Sequence, residues 1–224
     1  MKLKKMMIII IGIVLIILIA ILIKNTYKNS KTGNNIINKS ADQIKEYILN
    51  IESYQATAKI TIKSNKNENT YIVKQKYSKQ GNMYKQEILE PENIKCIQFI
   101  YDGANLKIEN TKLNLSKIYE NYNYIGSNEL SLVAFIEDYK NSNKSNCTEQ
   151  NGTIILQAEK NENNKYTMSK KLYINKETGT IEKLEINDRT QNTRIYILYN
   201  EIQLNETTQE EVVAFSIKAT DKDI

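Results

Sequence analysis

Histidine and tryptophan are absent from this 224-residue chain. Without imidazole, the commonest general base and the commonest metal ligand are gone, which excludes histidine-dependent hydrolysis and histidine-ligated zinc. Proline occurs once, at Pro91, and arginine twice, at Arg189 and Arg194. The two cysteines, Cys96 and Cys147, lie 51 residues apart, so an oxidising compartment admits one disulfide or two separate thiols. Strong charge is missing too. The net +5 falls to about +2 without Lys2, Lys4 and Lys5, too weak a field for a nucleic-acid partner. What is abundant is lysine (29), isoleucine (36) and asparagine (29), the bias of an AT-rich coding sequence. Lysine and asparagine abundance is therefore discounted as a functional signal.

Chemistry-bearing motifs are equally scarce. No nucleophile motif sits on a strand-to-helix turn. Glu87, Glu90 and Glu92 suggest paired carboxylates, yet nothing near them in sequence supplies a partner or a cleft. No catalytic, cofactor-binding or metal-ligating residue is assigned, and the expectation is a protein that is not an enzyme.

Residues 6–23 form an unbroken apolar run of eighteen residues between Lys2, Lys4, Lys5 and Lys24, Lys28, Lys31. As a helix the run measures roughly 27 Å, close to the hydrocarbon thickness of a bilayer. No small-x-small cleavage site ends it, so it reads as an uncleaved anchor through Met6, Ile11, Leu15, Leu18 and Ile23. No cysteine follows the run, which excludes lipid attachment at this end. Lysines balance across it, but a short tail stays inside while a long domain translocates regardless of charge. The expected topology is a cytoplasmic N-terminus and an extracytoplasmic domain, and the reverse stays open. The chain thus divides into an anchor at 1–24, a polar tether at 25–39 and one domain at 40–224.

Within that domain, Ser40 and Gln43 have capping-box spacing, and Ile44, Tyr47, Ile48 and Ile51 share one helical face. From Tyr54 the period becomes two, with Tyr54, Ala56, Ala58, Ile60 and Ile62 alternating with polar residues. Further strands are predicted at 71–78, 83–89, 94–101 and 105–110, the run at 94–101 being apolar on both faces and hence central. A helix at 128–139 interrupts them. Short turn-bounded strands follow at 147–149, 153–159, 167–175, 180–187, 193–202 and 212–217. About ten strands and two helices imply an α+β fold: a large curved antiparallel sheet, its helices on the concave face and its convex face in water.

An amphipathic helix leading into Ser53-Tyr54-Gln55-Ala56, a strand ended by Glu90-Pro91, the Tyr101-Asp102-Gly103 hairpin with Leu106, a mid-chain helix and Leu172-Tyr173-Ile174-Asn175-Lys176-Glu177-Thr178-Gly179 stand in order. This arrangement, over roughly residues 40–218, resembles the LolA-like superfamily, and within it the GerS-related clostridial germination lipoproteins. The resemblance implies an unclosed β half-barrel that carries lipid or serves as a protein-binding scaffold. It also implies a place in a spore-forming bacterium, at the cell or forespore membrane, beside a cell-wall amidase-like enzyme that modifies spore cortex.

Two further readings concern surfaces. Tyr119, Tyr122 and Tyr124 either form a partner-binding surface or pack beneath the second helix. Lys74, Lys76 and Lys79 either touch anionic headgroups or wall polymer, or form a solvated face. The sequence therefore points to a membrane-anchored binding or regulatory module with a protein partner, or alternatively to a lipid or lipoprotein carrier. An exposed edge strand also admits a homodimer.

Overall fold

The computed structural model describes residues 39–122, 128–159 and 169–206. Helix α1 (Ala41–Leu49) starts at the capping box read from the sequence. Ser40 Oγ accepts from the Gln43 amide at 3.2 Å, and Gln43 Oε1 accepts from the Ser40 amide at 2.9 Å. Two orphan donors are thereby satisfied. Ile44, Ile48 and Leu49 are buried. Full burial of each isoleucine stabilises by about 1.5–3 kcal/mol, more than a short isolated helix supplies for itself.

Eleven strands follow: β1 (Ser53–Lys63), β2 (Glu68–Ser78), β3 (Met83–Glu90), β4 (Ile97–Tyr101), β5 (Leu106–Asn110), β6 (Leu115–Tyr119), β7 (Asn146–Gln150), β8 (Thr153–Glu159), β9 (Ser169–Asn175), β10 (Ile181–Asn187) and β11 (Thr193–Leu204). They form one antiparallel sheet in the order β6-β5-β4-β3-β2-β1-β11-β10-β9-β8-β7. β6 and β7 stand at its two ends, so the sheet remains open. Every pair but one joins sequence neighbours; the exception is β1 with β11, from Tyr54 opposite Leu204 to Ile62 opposite Ile195.

Period-two alternation sends one set of side chains to the core. On β1 these are Tyr54, Ala56, Ala58 and Ile60, all buried. The register carries Tyr54 across to Tyr77, Tyr84, Tyr101, Leu106 and Tyr119, one residue from each of the first six strands. The first five rungs of this ladder are buried, and the sixth, Tyr119, is 37% exposed.

Helix α2 (Leu132–Asn141) lies in the connection that runs from one end of the sheet to the other. Ser131 caps it, its Oγ accepting from the Ala134 amide at 3.0 Å. The segment before it crosses the core face, where Gln75 Nε2 donates to the Leu130 carbonyl at 3.2 Å. Lys170 of β9, only 2% exposed, meets Glu129 at 2.5 Å and Asp138 at 2.6 Å. One buried cation therefore ties both the leader and the body of α2 to the sheet. Lys140 Nζ, in the last turn of α2, donates to Asn50 Oδ1 at 3.3 Å and joins the C-terminal ends of the two helices.

An unclosed antiparallel sheet with two helices agrees with the α+β expectation; several details differ. The predicted strand at 94–101 begins only at Ile97, because residues 91–96 are turns: the Ile94 amide donates to the Pro91 carbonyl and Cys96 has φ 73°. β6 is a strand that sequence periodicity did not reveal. The second helix starts at Leu132 and not at Asn128, since Ser131 takes the cap position. Both cysteines are free. Cys96 leads into β4 and Cys147 lies on β7, eight strand spacings away in the sheet order. Nor is the face opposite the helices uniformly wet: Lys85 is 4% and Gln98 8% exposed. The anchor residues Met6, Ile11, Leu15, Leu18 and Ile23, the tether up to residue 38 and the expected strand at 212–217 lie outside the described residues. Among the described residues no helix is long and apolar enough to cross a membrane.

Two predictions follow from these buried charges. Lys170→Met leaves two part-buried carboxylates without their cation and is expected to lower stability by about 3 kcal/mol, read from urea unfolding at pH 7. Adding Glu129→Gln and Asp138→Asn should recover most of the loss. Burial pushes Lys85 down to about 8 from the ordinary 10.5, while Glu87 and Glu109 oppose the shift. The unfolded chain therefore holds this proton between these values, so the Lys85 contribution to stability rises as pH climbs from 8 to 10.5, opposed near the top of that window by raised tyrosines such as Tyr77, and is read as the difference from the Lys85→Met profile. Lys85→Met should abolish that rise.

Candidate functional site

Asparagine side chains shape the turn that launches β6. Asn110 Oδ1 accepts from the amides of Lys112 and Leu113, each at 3.1 Å, and Asn114 adopts φ 53°. Asparagine tolerates this left-handed conformation because its short polar side chain bonds locally. The Thr111 amide donates to the Cys96 carbonyl at 3.0 Å and fixes the turn to the loop before β4.

All five residues of β6 are exposed. Leu113, Leu115 and Ile118 are 62%, 63% and 60% exposed, and Tyr119 and Tyr122 are 37% and 42%. Elsewhere among the described residues, Leu198 is the one comparably exposed large apolar side chain. Their concentration within ten residues on a sheet edge makes this stretch the candidate site, whereas scattered exposed leucines would mean nothing. The rings of Tyr119 and Tyr122 lie 6.2 Å apart, and Lys117 Nζ sits 4.9 Å above the Tyr119 ring. On the core-face side, a groove of about 270 Å³ runs over Ile97, Ile108, Leu115 and Tyr119.

Of the tyrosines singled out in the sequence, Tyr119 and Tyr122 meet as an exposed pair on this edge, and Tyr124 lies outside the described residues. Leu115 and Ile118 escaped sequence reasoning. The available signal was the Asn110-to-Asn114 turn, which the discounting of asparagine concealed.

The core face is not a greasy chamber over β1–β3. Tyr54 OH donates to Gln75 Oε1 at 3.2 Å, Gln75 Nε2 donates to Gln86 Oε1 at 3.1 Å, and Tyr84 OH donates to the same Gln86 oxygen at 3.1 Å. Gln75 is fully buried and Gln86 is 7% exposed. Such a network in low dielectric demands that its partners stay in register. Nearby, burial and then Glu137 and Glu52 push Tyr77 up to about 12. Burial, followed by the Asp138 charge, also raises Glu137.

The remaining candidates separate. Lys74 and Lys76 lie on β2 beside Lys85 and Glu87 on the face away from the helices, but Lys79 falls beyond the strand and binds Glu52 at 2.7 Å. Glu92 pairs with Lys95 at 3.4 Å, and Glu87 lies on β3 opposite Lys74, so the three glutamates form no acid–base pair. Beside the β1–β2 turn, where the central strands β1, β11 and β10 meet, a cavity of about 770 Å³ has Ile62, Ile186 and Ile195 in its lining, with Lys63, Lys66, Asp188 and Arg194 around them. Arg194 Nε binds Asp188 at 2.5 Å. Thr190 and then Arg194 hold Asp188 down to about 2 against burial.

The chain belongs to the sporulation protein YdcC-like family, whose model matches residues 4–213. A search of curated proteins found no match. Among solved structures it is similar to a chain in the Clostridioides difficile complex of the CwlD amidase with the GerS lipoprotein, at 24% identity, covering 71% of this chain and 91% of that one, with a TM-score of 0.47. It is also similar to an outer membrane lipoprotein-sorting protein domain from Vibrio parahaemolyticus, at 13% identity, covering 80% and 100%, with a TM-score of 0.45. A third is a LolA superfamily protein from Nitrosomonas europaea, at 12% identity, covering 77% and 96%, with a TM-score of 0.42. The family match agrees with the sporulation-linked resemblance read from the sequence.

Proposed function

We propose that this chain is a non-enzymatic binding module of sporulation, held at the outer surface of a membrane by residues 1–24, that engages a cell-wall-modifying enzyme through its β6 edge. The observation that carries the reading is the exposed run from Leu113 to Tyr122 on an open strand, set against a core face occupied by the Gln75 network and the Lys170 ion cluster. Membership of a sporulation family supplies the setting. The amidase-like nature of the partner is what the sequence resemblance to GerS-related proteins implies.

The full-length chain, captured from detergent-solubilised membranes of sporulating cells, is expected to bring down a wall amidase in near-stoichiometric amount. Ile118→Asp combined with Tyr119→Ala should cut that recovery at least ten-fold while lowering stability by only about 1–2 kcal/mol, the scale of lost strand propensity and one cross-strand pair, so that the domain stays folded. Recovery of no wall enzyme would count against the enzyme-partner reading, and full recovery with the double variant would count against the β6 edge as the surface that binds it.

The cavity beside Ile62, Ile186 and Ile195 favours a second reading, a lipid or lipoprotein carrier, because isoleucines below a polar rim of Lys63, Lys66 and the Arg194–Asp188 pair suit an amphiphile. Native mass spectrometry of gently purified protein separates the two. The module predicts a bare mass and the carrier predicts one bound lipid per chain, lost on Ile195→Asp.

A further inference from the structure

The first six strands are stitched together by side-chain rows that run across the sheet and stop abruptly at β6. One row is Tyr54, Tyr77, Tyr84, Tyr101, Leu106, Tyr119; the next is Ala56, Gln75, Gln86, Phe99, Ile108, Lys117. Beyond Tyr119 and Lys117 there is no further rung among the described residues. On an outermost antiparallel strand, alternate residues also turn their N–H and C=O groups away from the neighbouring strand. Natural edges are blunted by proline, inward charges or bulges. β6 carries one such charge, Lys117 on the core-face side, but it has no proline, pairs with β5 over all five residues without a register shift, and presents Leu115 and Ile118 on opposite faces.

We propose that β6 accepts one extended antiparallel segment of a partner protein as a twelfth strand, and that this segment carries an acidic residue opposite Lys117 flanked two positions away by apolar residues opposite Leu115 and Tyr119. The inference rests on the binding-module reading above and specifies the chemistry of its partner. Main-chain hydrogen bonds supply attachment, and the rows supply selectivity. An aromatic or aliphatic group opposite Tyr119 continues the ladder already running through β1–β5. A carboxylate opposite Lys117 neutralises the cation that ends the second row, whereas a basic residue there meets like charge. The same charge argues against a second copy as the occupant. Two β6 strands paired antiparallel with complete overlap set Lys117 against its own counterpart.

The probe is the synthetic peptide Lys-Tyr-Val-Asp-Thr-Val-Thr, which aligns Tyr with Tyr119, Asp with Lys117 and the second Val with Leu115; its control replaces Asp with Lys. Amide hydrogen exchange is followed on the full-length chain in lipid nanodiscs. The Asp peptide is expected to slow exchange of those alternate β6 amides that point away from β5 at least ten-fold at millimolar concentration, and the Lys peptide to leave them unchanged. Lys117→Glu should invert that preference without altering exchange elsewhere, which a nonspecific sticky edge would not do. Equal effects of the two peptides, no effect of either, or protection of 113–119 that grows with protein concentration as the particle acquires a second chain would each overturn the proposal. Retention of a co-purifying amidase by the β6 double variant would sink this inference and leave the enzyme-partner reading standing. Peptide binding as described with no wall enzyme recovered would do the reverse.

Discussion

One ladder holds this domain together. The strands fall into two runs, β1–β6 and β7–β11, each a chain of local hairpins, and the pairing of β1 with β11 is the seam between them. Its partners are far apart in sequence: Tyr54 meets Leu204 and Ile62 meets Ile195. The lower end of the seam is sealed by Asn205, whose Oδ1 accepts from the Glu52 amide at 2.7 Å and whose own amide donates to the Ser53 carbonyl at 2.8 Å. The rest of the core depends on this join. The leader of α2 bonds Gln75 in the first run and Lys170 in the second, and those contacts exist together only when the seam has brought the two runs into one sheet.

The interior and the edge then divide the work. Within the first run, the tyrosine ladder and the glutamine pair give the core face a polar skeleton with fixed partners, which favours one arrangement over many. The ladder begins fully buried at Tyr54 and ends in solvent at Tyr119, so the rigidity of the core extends, rung by rung, to the surface the partner would meet. A binding edge supported in this way needs little reordering on association, which lowers its entropic cost.

Much of this was readable from residues alone, and the failures have identifiable causes. Alternation in β1 and the Ser40–Gln43 box announced themselves because each has a strong local rule. Leu115-Ser116-Lys117-Ile118-Tyr119 obeys none, with aliphatic residues on both faces and no glycine or proline before it. Five of the described non-glycine residues with positive φ are asparagines, Asn82, Asn114, Asn121, Asn151 and Asn205, so the residue set aside as compositional noise makes the turns here. Lysine was set aside for the same reason, and with it Lys170, whose role depends on Glu129 and Asp138 arriving from another element. Of the candidate edge, Tyr119 and Tyr122 were legible as a cluster, but their exposure was not, because periodicity says nothing about which strand ends a sheet.

The single non-local seam has a consequence for biosynthesis. Residue 63 leaves the ribosome some 130 positions ahead of residue 193. At roughly 5–20 residues per second, the flank of β1 that awaits β11 stays bare for on the order of ten seconds. During that interval a nascent half-sheet carries two open flanks in place of one, and a holding chaperone that shields β1 would protect the newborn chain from misassembly with its siblings.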